Sequence, residues 1–168
     1  MTDGRNESKV VRNESRDEEF LVDFLNTLDV EEGADELASE SGVQAWAAAH
    51  ALESGDPGEA RRTRDALRSL VTGGKPELPS VSLHPSCEGD GVCLRSNTVA
   101  EAALAATVVL SIQGRIGRVK LCQADTCRFA YYDRSRNGSR AWCSMEICGN
   151  RQKARSFRSK QASGRLSG

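Results

Sequence analysis

Four cysteines carry the most chemical meaning in this chain. Cys122 and Cys127, then Cys143 and Cys148, form two C-x4-C pairs with fifteen residues between them. Each short loop can turn two thiolates inward while the longer one folds back, which is what a closed tetrahedral zinc site needs. Two disulfides fit less well, because the chain shows no secretory segment, and unrelated core cysteines rarely fall into two equal spacings. The expectation is one structural Zn2+ held by Cys122, Cys127, Cys143 and Cys148. Four thiolates leave no open coordination position, so the metal is not a catalyst. Cys87 and Cys93 have only His84 near them in sequence, too few ligands for a second site, and read as a loop and a strand cysteine. The chain has two histidines and lacks G-x-S-x-G, P-loop and H-E-x-x-H patterns, so no enzyme is expected.

Charge separates the part that holds these cysteines from the rest. Residues 115–168 carry thirteen Lys and Arg against three Asp and Glu, a net of +10, whereas residues 1–114 carry ten against twenty-one, a net of −11. A basic module beside an acidic body suits a surface that meets a polyanion, although mutual attraction of the two parts gives the same pattern. No run of 18 or more apolar residues occurs, and residues 1–9 lack an apolar signal core, so a cytoplasmic protein without a membrane partner is expected.

The second cysteine pair runs into Cys148-Gly149-Asn150-Arg151. With Phe129, Tyr132-Asp133, Ser135-Arg136-Asn137, Arg140, Trp142-Cys143-Ser144-Met145 and Lys153-Ala154-Arg155, this stretch resembles the CGNR zinc-finger family. Ala141 departs from the pattern, which commonly has a second basic residue before the Trp. Near the other end, residues 22–29 (VDFLNTLD) resemble the opening of the ABATE-like domain that often precedes such fingers. The resemblance implies a bacterial transcription regulator with a ligand-sensing N-terminal body and a C-terminal four-cysteine finger. It also implies that Arg151 is a family-specific contact.

The elements that must position these residues give an α+β fold, with a flexible tail over 1–17, a regulatory domain over 18–118 and the finger over 119–168. Ser15-x-x-Glu18 marks a capping box before the apolar stripe of Phe20, Leu21, Phe24, Leu25 and Leu28. Ser41-x-x-Gln44 opens a second helix, and Asp56-Pro57-Gly58-Glu59 a third, whose Arg61, Arg62, Arg64 and Arg68 read as a solvated face. Val81-Ser82-Leu83 and Val92-Cys93-Leu94 read as a hairpin with a long loop. Thr98-x-x-Glu101 caps a largely buried helix over 99–113. A basic helix runs from Cys148 to about Lys160, with Ala154 and Phe157 on its packing stripe.

These readings converge on a DNA-binding transcription regulator. Arg134, Arg136 and Arg140 on the long loop and Arg151, Lys153, Arg155 and Arg158 on the helix are the expected nucleic-acid contacts. Arg151 can alternatively brace the metal site through Asp133 or loop carbonyls. Asn26 and Asp29 are candidates to line an effector site in the N-terminal domain, against the simpler reading that they cap a helix. A homodimer is compatible with this architecture. Two other functions fit the same residues: a zinc-stabilised protein-interaction module, and RNA binding if Phe129, Tyr131, Tyr132 and Trp142 are exposed for stacking.

Overall fold

The computed structural model describes residues 7–88 and 91–164. Helix α1 (Glu7–Leu25) leads into a short antiparallel ribbon of β1 (Leu28–Asp29) and β2 (Ala34–Asp35), followed by α2 (Glu40–Ala49) and α3 (Pro57–Leu70). The hairpin β3 (His84–Glu88) and β4 (Gly91–Arg95) precedes α4 (Val99–Ile112). A 3-10 turn (Ile116–Arg118) then enters β5 (Val119–Leu121), which pairs antiparallel with β6 (Ala130–Tyr132). A π-helical turn (Met145–Gly149) and α5 (Asn150–Gly164) complete an α+β fold.

Helix α4 is the centre of the body. Its Thr98 hydroxyl accepts from Glu101 N at 3.3 Å while the Glu101 carboxylate accepts from Thr98 N at 3.2 Å, the reciprocal cap expected there. Val99, Ala100 and Ala102–Thr107 are all buried, and α1 and α3 pack on this helix through Leu21, Phe24, Leu25 and Leu67. Asp56 caps α3 by accepting from Glu59 N at 2.6 Å, with Pro57 in the first turn where its missing N–H costs nothing.

Four expectations are corrected. Residues 7–17 are helical, so Ser15 lies inside α1 and not at its start. Strong helix formers such as Lys9, Arg12 and Glu14 let the packed segment propagate towards the N-terminus. Helix α2 is capped by Ser39, whose hydroxyl accepts from Gly42 N at 3.1 Å, and not by Ser41. The hairpin pairs His84 with Arg95 through Glu88 with Gly91, leaving a two-residue connection in place of a long loop. Its register puts Cys87 opposite Val92 and Cys93 opposite Ser86, one step apart.

The third helix supplies the fourth correction, because Arg64 and Arg68 are buried. Arg64 forms a bidentate pair with Asp35 at 2.5 and 3.0 Å, and this hydrogen bonding holds the Asp35 carboxyl below the usual carboxylate range. Arg68 donates to Leu25 O at 2.6 Å and to Arg128 O at 2.9 Å. Of the four arginines on this helix, only Arg62 is well exposed. The finger also shares the core of the body. Val119, Leu121 and Ala130 belong to the same core cluster as Leu21 and Phe24, with Tyr132 packed against it, while the cysteines form a second small cluster with Ala124 and Trp142.

Candidate metal centre

The ribbon β5–β6 delivers the first cysteine pair. Cys122 N donates to Phe129 O at 2.8 Å, extending the ladder by one step, and the chain between them closes with Cys127 N and Arg128 N both donating to Ala124 O at 2.9 and 3.1 Å. Arg128 has a φ of +53°, the left-handed conformation that lets the knuckle turn back into β6. The second pair is brought alongside when Gln123 N donates to Ala141 O at 2.9 Å. Ser144 then caps the π-helical turn by accepting from Ile147 N at 3.3 Å, and Gly149 N donates to Ser144 O at 3.1 Å.

The four Sγ atoms lie within 4.8 Å of one another, with Cys127–Cys143 and Cys143–Cys148 both at 3.7 Å. A tetrahedron with Zn–S bonds of about 2.3 Å has S···S edges of about 3.8 Å, so this donor set fits one zinc ion. Cys122 and Cys148 are buried and the other two half-buried. Burial and the neighbouring thiols push Cys148 up to about 11 and Cys143 higher still. Burial also opposes ionisation of Cys122, but N–H groups of Cys143 and Ala124 outweigh it and hold that thiol below its usual range. Four packed thiols cannot all ionise unaided, and a divalent cation supplies the charge that makes them thiolates.

Each letter of the C-G-N-R run has a structural role. Cys148 is a ligand. A Cβ on Gly149 would come within 2.6 Å of Met145 Sδ, so glycine lets Met145 fold over the turn. Asn150 Nδ2 donates to Glu146 O at 2.9 Å, satisfying a carbonyl of the π-helical turn. Arg151 reaches out of the finger to Glu31, in the β1–β2 connection, at 2.7 Å. The family model of the CGNR zinc finger matches residues 118–161, and that of ABATE, described as "Putative stress-induced transcription regulator", matches residues 18–116, more than half of the chain. The chain belongs to the ABATE family and ends in a CGNR zinc finger. No curated protein matches it.

The long loop of this finger is held by a hub that sequence reasoning missed. Asp133, fully buried, accepts from Lys120 Nζ at 2.8 Å, Ser135 N at 3.0 Å, Ser135 Oγ at 2.6 Å and Arg140 N at 2.9 Å. Burial alone would raise its carboxyl, but these donors hold it well below the usual carboxylate range. Lys120 also bonds the carbonyls of Gly138 and Arg140. The available signal was an Asp directly before a Ser-, Asn- and Gly-rich turn, the position of an Asx turn.

The expected nucleic-acid contacts divide into two groups. Arg140 is committed to the finger itself: its guanidinium donates to Cys143 O at 2.7 Å and sits 5.2 Å from the centre of the Tyr131 ring. Arg134 pairs with Glu18 of α1 at 3.2 Å, and Arg151 pairs with Glu31, not with Asp133 or loop carbonyls. Arg136, Lys153, Arg155 and Arg158 are exposed. Ala154 and Phe157 are exposed too, so beyond its first turn α5 does not lay the expected stripe on the finger.

The body holds the finger by side chains from several elements. Asn26 Nδ2 donates to Ala130 O at 3.1 Å while its Oδ1 accepts from Ala130 N at 2.6 Å, so this candidate effector residue instead docks strand β6. Asp29, the other candidate, accepts from Glu31 N and Glu32 N at 2.9 and 3.0 Å and shapes the turn that presents Glu31. Glu18 is fully buried between Arg115 and Arg134.

Proposed function

We propose that this protein is a DNA-binding transcription regulator in which the zinc centre fixes the first turn of α5 and that helix carries the main contact surface. The observation behind this reading is the helix itself: Asn150–Gly164 contains five Lys and Arg and no Asp or Glu, and Arg151–Arg158 lies on the surface apart from half-buried Gln152. Arg136, Lys153, Arg155 and Arg158 engage phosphates, whereas Arg134 and Arg151 are also held by Glu18 and Glu31 of the body. The protein acts by binding and not by catalysis, since four thiolates complete the coordination of a tetrahedral metal.

RNA stacking is less well supported, because Tyr131 is buried and Tyr132 and Trp142 are half-buried in packing, leaving only Phe129 widely open. No described helix is long and apolar enough to cross a membrane. The test is duplex binding by the zinc-loaded chain across a salt series. Four phosphate contacts give a slope of log affinity against log salt of about −3 to −4, which flattens by roughly one for each of Lys153→Ala, Arg155→Ala and Arg158→Ala. Unchanged affinity in the triple variant removes DNA binding by α5.

A further inference from the structure

The basic surface does not end with the finger. Where the 3-10 turn enters β5, a solvent-open cleft of about 570 Å³ is lined by Arg115, Arg118, Tyr132, Arg134 and Arg136 together with Asp133 and Ser135. Three parts of the chain build it. The body contributes Glu18, whose two carboxylate oxygens are divided between Arg115 and Arg134. Both guanidinium groups also lie against the Tyr132 ring, at 5.8 and 5.3 Å from its centre, and Arg115 Nε donates to the Tyr132 hydroxyl at 3.2 Å. Arg118 donates to the carbonyls of Asp133, Ser135 and Arg136, which fixes the rim.

The charges in this cleft do not cancel. Asp133 is matched by Lys120, Glu18 lies between Arg115 and Arg134, and Asp17 also acts on Arg115, whereas Arg118 and Arg136 meet no carboxylate among the described residues and leave the cleft positive. Arginines ordered beforehand by a buried carboxylate and an aromatic ring lose little freedom when they bind an oxyanion, and their forked donors match its geometry.

We propose that this cleft binds a phosphoryl dianion at the seam between the body and the finger. Glu18 is a positioning residue there, holding Arg115 and Arg134 on either side of the ligand, and Arg136 is the exposed arginine that closes over it. The site rests on the proposed DNA-binding reading only in sharing Arg134 and Arg136 with that surface; Lys153, Arg155 and Arg158 of α5 lie outside it and can engage a duplex with the cleft empty. It also joins the two halves of the chain, so its occupant pulls on Arg134 in competition with Glu18 and couples ligand to the seating of the finger.

The test titrates inorganic phosphate into the full zinc-loaded chain in a phosphate-free, low-salt buffer, followed by calorimetry. The expected result is saturable binding of one phosphate per chain, weakened about tenfold or more in Arg136→Ala through loss of a charge-assisted hydrogen bond. Arg95→Ala, on the distant hairpin, should leave it unchanged. Arg136→Ala should keep the fold, because no side-chain bond of Arg136 is found among the described residues, and zinc content checks this. Absence of saturable binding, or equal weakening by Arg95→Ala, overturns the proposal. Adding duplex DNA tests the choice of ligand: retention of the bound phosphate upholds a site for a phosphate monoester, and displacement assigns the cleft to the diester backbone of DNA and overturns the proposal.

Discussion

Replacing Asn26 by Ala tests the way the body holds the finger. In the β5–β6 ladder, Cys122 N donates to Phe129 O and Asp133 N to Arg118 O, so alternation along an antiparallel pair turns the polar groups of Ala130 away from β5. They face an open edge, and the Asn26 side-chain amide satisfies both, as the peptide group of a third strand would. Ala130 itself is fully buried, so water replaces the amide poorly. Each lost hydrogen bond removes about 1 kcal/mol, and each backbone group left unsatisfied costs about 1–3 kcal/mol, with partial relief by a water that enters the gap. The net expectation is a loss of about 2–4 kcal/mol. Urea unfolding of the zinc-loaded protein, followed by tryptophan fluorescence from Trp46 and Trp142, measures it. The slope with urea should stay constant, which attributes the change to stability and not to a different folded state. A loss below about 0.5 kcal/mol, the level typical of an uninvolved surface site, refutes the docking role.

Three further outcomes are expected. Asp133→Asn, which leaves Lys120 without its carboxylate, should destabilise the finger by about 3–5 kcal/mol, read as faster zinc loss to a chelator and a lower urea midpoint. Removal of zinc, by chelation or in a Cys143→Ser, Cys148→Ser double variant, should abolish amide protection in the π-helical turn and α5 but leave Ala103–Leu110 of α4 protected in hydrogen exchange. The metal-bound state should also be lost as the pH falls, since protons compete for the thiolates. Glu31→Gln frees Arg151 and should tighten duplex binding by about fivefold at most at low salt, the range of an exposed ion pair. Weaker binding in a fluorescence-anisotropy titration would show that Glu31 supports the contact surface and does not compete with DNA.

What was legible in the sequence is what depends on neighbours along the chain. The caps at Asp56 and Thr98 each involve a residue three positions away, and the metal ligands announce themselves by two short loops. Arg64 and Arg68 were misread because the residues that neutralise or satisfy them lie far off: Asp35 is 29 positions from Arg64, and Leu25 is 43 from Arg68. An arginine at a helical position has the same local signal whether it faces water or a distant carboxylate. The same holds for Asn26 and Ala130, 104 positions apart, and for Glu31 and Arg151, 120 apart. Tertiary pairing of polar groups has no period, so patterns of hydrophobicity do not reveal it. The start of α1 differs for another reason: a composition poor in apolar residues does not order itself alone, but here it continues a helix nucleated by packing further on.

The charge asymmetry between the two halves admits both explanations at once, applied to different residues. Glu18 and Glu31 of the acidic half pair with Arg115, Arg134 and Arg151 of the basic half, so part of the contrast acts within the molecule and seats the finger. These contacts are unequal. Glu18 is fully buried, and separating it from both partners would strand a carboxylate out of water, whereas Glu31 and Arg151 are both exposed and part at little cost. The body therefore grips the long loop firmly and the start of α5 lightly. A polyanion approaching α5 meets the exposed Lys153, Arg155 and Arg158 and one lightly held arginine, and it can take that arginine from Glu31 without undocking the finger. An anion in the Arg115–Arg134 cleft acts at the firm contact, which is where a signal must act to change how the finger sits on the body.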